Sequence, residues 1–129
     1  MDDKEKYAHE KMRVAVQTLA TGTGAIRERL RDVYLEVHVL GMPQFAVADP
    51  EVNERVERVL SQLRQVDIAG NEGTVSATLD HKLTDDDCME LAKLIFEIYD
   101  ILHPRYIKWT AEFDAKHGGG HSADSGREG

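Results

Sequence analysis

One cysteine, three prolines and 6% aromatic residues are all that this 129-residue chain contains of those types. Each shortage excludes something. A lone Cys88 cannot close an internal disulfide, which agrees with a reducing compartment. No apolar run approaches the roughly 18 residues of a membrane span. The opening MDDKEKYAHEK is charged where a signal peptide needs an apolar core, so a cytoplasmic location and no membrane are expected. No internal repeat is present. Positive charge is scarce in one region: residues 67–103 carry nine acids against Lys82 and Lys93, a net of −7 out of −8 for the whole chain. Such a surface disfavours nucleic acid and attracts a basic partner.

The chain is 41% hydrophobic and 31% charged, the balance of one soluble helical domain over residues 1–117. Residues 118–129, a Gly-rich run with no large apolar side chain, read as a flexible tail. The stretch from Thr84 to Leu102 organises the domain. Wound at roughly 100° per residue, it gathers Asp86, Glu90, Lys93, Glu97 and Asp100 on one stripe. Cys88, Leu91, Ala92, Leu94, Ile95, Phe96, Ile98, Tyr99, Ile101 and Leu102 fill the rest of its circumference. A helix apolar on most sides needs several neighbours, so this one is expected to be central.

The neighbours follow from apolar spacing. Ala8, Met12, Ala15 and Leu19 share a face of a first helix over 4–20, and Ile26, Leu30, Val33, Val37 and Leu40 one of a second over 25–40. Gly22 is expected as the left-handed cap of the first and Thr23 as the N-cap of the second. Asp49-Pro50-Glu51 starts a third helix over 50–66, with Val52, Val56, Val59, Leu63 and Val66 inward and Glu51–Arg55 and Glu54–Arg58 pairs outward. Residues 74–83 alternate like a strand but lack a second strand to pair with, so a short helix or an irregular turn is expected. Thr84 and Asp87 form a variant capping box. His103-Pro104 is expected to end the central helix and Pro104 to open a short fifth one carrying Tyr106, Trp109 and Phe113 on one face. The architecture expected is all-α: an antiparallel four-helix bundle with a short fifth C-terminal helix and a disordered tail.

Three groups of residues bear on chemistry. Gly22, Thr23 and Gly24 precede a helix that carries Arg27 and Arg31, a place where free N–H groups and the helix dipole can hold an anion or nucleotide. The Gly-Lys-Ser/Thr ending of a phosphate loop is missing, and an ordinary helix–helix turn uses the same residues. Glu51-x-x-Glu54, Glu54-x-x-Glu57 and Glu97-x-x-Asp100 form a second group. In these the chain resembles the all-α nucleotide pyrophosphatases, whose ExxE and ExxD carboxylates on facing helices cradle Mg²⁺ over a diphosphate. The resemblance implies an Mg²⁺-dependent hydrolase. On the helical wheel both carboxylate sets point outward, so only a homodimer pressing these faces together would assemble it.

The third group is the acidic stripe. The helix dipole accounts for Asp85, Asp86 and Asp87 in a first turn, but Glu97 and Asp100 are like charges one turn apart. Asp86, Glu90, Glu97 and Asp100 are expected to meet a basic surface on another protein; the plain alternative is a solvated face. Elsewhere, Cys88 reads as a buried core residue. His38 reads as solvated, and the six histidines form no cluster. The aromatic face of Tyr106, Trp109 and Phe113 closes the bundle or docks a second subunit. No metal, cofactor or catalytic residue is assigned. The function expected is that of a small regulator or adaptor working by protein contact.

Overall fold

The computed structural model describes residues 1–64 and 75–116. The Gly-rich tail at 118–129, His117 and Val66 lie outside them. Every regular element among the described residues is an α-helix: α1 (Asp3–Thr21), α2 (Ile26–Leu40), α3 (Pro50–Leu63), α4 (Val75–His81) and α5 (Asp85–Lys116). Residues 75–81 take the helical option, with Leu79 buried and Val75 packed against the core.

The helix starts are set by local chemistry. The Asp2 carboxylate accepts the Glu5 N–H at 2.8 Å, and Asp49 accepts those of Glu51 and Val52 at 2.8 and 3.4 Å. Thr84 and Asp87 satisfy each other's N–H groups at 2.9 and 3.1 Å, the reciprocal box that frees neither donor. One core then links all five helices. Met12, Leu30, Val33, Val37, Val52, Val59, Leu63, Leu79, Ile95, Ile98 and Leu102 are sealed from solvent within it. Helix α5 packs on α1, α2 and α3, while α4 bridges α2 and α3.

Two local expectations are corrected. Gly22 is extended (φ −67°, ψ 155°) and closes α1 by donating its N–H to the Thr18 carbonyl at 2.8 Å. The left-handed residue is Gly24, at φ 90°. Thr23 does not cap α2: Ala25 holds that position, and the Glu28 carboxylate reaches back to its N–H at 3.1 Å. An L-residue at Gly24 would be strained and would crowd the Glu28 carboxylate. Gly24→Ala is therefore expected to cost about 1–2 kcal/mol in thermal or urea unfolding.

The largest correction is at Pro104. The central helix does not stop there; it runs on for 32 residues, about 48 Å, and absorbs the expected fifth helix. Proline removes one N–H and crowds the carbonyl four residues back. Pro104 and Asp100 are both exposed, so water can solvate the carbonyl thus released. Part of this cost is offset by contacts of the next residues. Arg105 bonds Glu5 at 3.1 Å and Asp49 at 2.6 Å, and Tyr106 stacks on His9.

Candidate functional site

The four acids of the stripe fall into two environments. Asp86, Glu90 and Asp100 are exposed, whereas Glu97 is half-buried and accepts a hydrogen bond from Arg55 Nε of α3 at 3.1 Å. That bond supplies the opposing charge which the Glu97/Asp100 repulsion calls for. It also redirects Arg55, whose Nη1 donates to the Glu51 carbonyl at 3.1 Å rather than serving a simple pair along the helix. Glu54 and Arg58 do pair, at 3.6 Å. Glu90 lines a shallow groove with Arg58. Glu97 is thus neutralised from α3, and the exposed acids are Asp86, Glu90 and Asp100.

Beside Asp86 and Asp100 lies an apolar row. Met89, Phe96 and Ile107 are 59%, 37% and 52% exposed. They stand 7 and 11 residues apart, close to whole numbers of helical turns, so they align along one face of α5. The helical wheel puts Phe96 on the arc that needs neighbours. Helices α1, α2 and α3 cover the other side of α5 and leave this ring open to solvent.

The residues of the α2 turn serve the fold. Arg27 places Nε and Nη2 on Asp85 at 3.2 and 3.0 Å and Nη1 on the Leu79 carbonyl. Arg31 bonds Asp80 at 3.0 Å, and Arg29 donates to the Leu19 carbonyl at 2.6 Å. Together they tie α2 to α1, α4 and the start of α5. Gly22, Thr23 and Gly24 lie at this corner, but Arg27 and Arg31 point to carboxylates.

Among the described residues no three His, Cys, Asp or Glu side chains converge as metal ligands. Nor is any helix there long and apolar enough to cross a membrane. Cys88 is fully buried, and burial pushes its thiol above the ordinary value, which suppresses the thiolate a nucleophile needs.

Sequence reasoning missed a cluster between α1 and α5. His9, 3% exposed, places Nε2 3.0 Å from Nδ1 of His103. Tyr99 Oη lies 3.1 Å from the same Nδ1, and Tyr106 stacks on His9 at 4.1 Å with planes 9° apart. Trp109 continues the row, 6.1 Å from Tyr106 and 5.4 Å from Phe113, with the Lys6 ammonium 4.5 Å from its ring. The expectation of unclustered histidines is overturned. A local signal existed: Tyr99, His103 and Tyr106 recur at 4 and 3 residues. It was hidden by the expected break at Pro104. His38 is corrected too, since its Nδ1 meets the Arg64 guanidinium and lies 3.4 Å from Tyr34 Oη.

No family model, curated protein or solved structure matches this chain.

Proposed function

We propose that the protein is a small regulator or adaptor that works by binding another protein through the outer face of α5. The observation that carries this is the exposed row Met89, Phe96 and Ile107 running beside the exposed carboxylates of Asp86 and Asp100. Large apolar side chains aligned along one helix face supply the anchors of an interface, and flanking charge supplies orientation and on-rate. The fitting partner presents an apolar ridge edged by lysine or arginine. In this proposal α1, α2, α3 and α5 form an antiparallel bundle, a layout supported by the short turn joining α1 to α2, and α5 is its recognition wall.

The test is capture from the native host followed by kinetics on the purified partner. Phe96→Asp is expected to weaken binding by about tenfold or more, the scale of ~1.4 kcal/mol. Asp86→Lys/Asp100→Lys should slow association and flatten its dependence on salt. Phe96 is 37% exposed and Asp86 lies in the first turn of α5, so each variant should lose about 1 kcal/mol of stability, and binding is compared at a temperature where both remain folded. A partner that binds both variants with wild-type affinity and on-rate would overturn the assignment.

A further inference from the structure

The two imidazoles that join α1 to α5 are arranged for a single proton. Their planes are 12° apart and their centroids 5.3 Å apart, while the facing nitrogens are 3.0 Å apart. Rings so placed meet edge to edge in nearly one plane, so this is a hydrogen bond between nitrogens and not a stack. In either tautomer one nitrogen donates and the other accepts. A first added proton can go to an outer nitrogen and leave the bond intact. A second has only the shared lone pair left, and it would set N–H against N–H.

We propose that His9 and His103 form an acid-released latch that fastens the first half of α1 to the part of α5 beyond Pro104. What it fastens is visible on either side. Tyr106 lies on the face of His9, Trp109 follows under Lys6, and Arg105 bridges to Glu5 and Asp49. No core residue of α5 lies beyond Leu102, so these contacts hold the last stretch of the helix.

The charges around His9 do not cancel the effect. From α1 come Glu10 and Arg13, which pair with each other at 2.6 Å. From α5 come His103 and the hydroxyls of Tyr99 and Tyr106. On the side of α1 that meets α2, Lys11 and Glu36 pair at 3.7 Å. Burial first, then the charge on His103, hold His9 below the ordinary histidine value of about 6.5; Glu10 opposes this and Arg13 adds to it. An imidazole so held binds its proton more readily in the unfolded chain. Its stabilising contribution is complete above pH ~6.5 and declines as the pH falls from there towards the lower folded value.

The test uses the single tryptophan as reporter, in the full chain, between pH 7.5 and 5. Wild-type Trp109 emission should change with a midpoint below about 6.5, and amides of residues 5–12 and 103–112 should lose protection at the acid end, relative to their intrinsic exchange at each pH, while the α3 core keeps its own. His9→Phe keeps a ring on Tyr106 but carries no proton, and should abolish the transition. Imidazole NMR of the wild type makes the test independent of whether that variant folds: the His9 signal must titrate below 6.5 in step with Trp109. Titration of His9 at or above 6.5 would overturn the latch. So would emission and exchange that stay flat while His9 titrates, or a transition that persists in His9→Phe.

Discussion

Ile95→Ala is expected to destabilise the protein by about 2–5 kcal/mol, read as a shift of the urea midpoint at constant slope. Ile95 is fully buried in α5, the helix on which α1, α2 and α3 converge, so the deletion leaves a cavity that neighbours on three sides cannot all move to fill. The transfer term for three lost carbons accounts for roughly 2.4 kcal/mol at ~0.8 kcal/mol each, and the residual cavity adds to it. Met89→Ala on the same helix is the internal contrast. Its side chain is largely exposed, so its cost should stay near the ±0.5 kcal/mol scale of surface changes. An Ile95→Ala loss below about 1 kcal/mol would place that face of α5 outside the packed core.

Asp49→Ala is expected to be the most damaging polar substitution, at about 2 kcal/mol, the upper end for loss of an N-cap. The same carboxylate accepts two N–H groups of α3 and the Arg105 guanidinium of α5. The cap is the larger share. The Arg105 side chain is 44% exposed, so Arg105→Ala should cost less than about 1 kcal/mol. A double-mutant cycle separates the terms. Burial pushes the Asp49 carboxyl up, but the bond to Arg105 and the two backbone donors outweigh it and hold the group below the ordinary aspartate range. Stability from Asp49 is therefore complete above pH ~3.9 and is lost as the pH falls through the lower folded value. Asp49→Ala should flatten the acid limb of the stability profile. An unchanged acid limb would remove Asp49 from this role.

The exposed face of α5 shows how far a helical wheel reaches. The wheel places Asp86, Glu90, Lys93, Glu97 and Asp100 on one stripe. It does not find that Arg55 crosses from α3 to Glu97, because the same arginine also has Glu51 one turn away in its own helix. Choosing between two carboxylates depends on how α3 lies against α5, which periodicity does not encode. Phe96 is a similar case. Its position on the wheel is apolar, but whether it is covered depends on how many helices surround α5.

What the sequence by itself determined are the features whose partners lie within one helical turn. Asp49 before Pro50, the reciprocal Thr84–Asp87 box and the 3- and 4-residue apolar spacing of α1, α2 and α3 depend only on the 3.6-residue period and on unpaired N–H groups. The tertiary structure decided everything that joins residues distant along the chain. Arg27 meets Asp85 and Arg31 meets Asp80, and His9 meets His103 across 94 positions. It also decided that α5 passes through Pro104. A proline's local cost favours a helix end, and contacts from Arg105 and Tyr106 to α1 and to Asp49 offset part of that cost only once those residues are packed beside them.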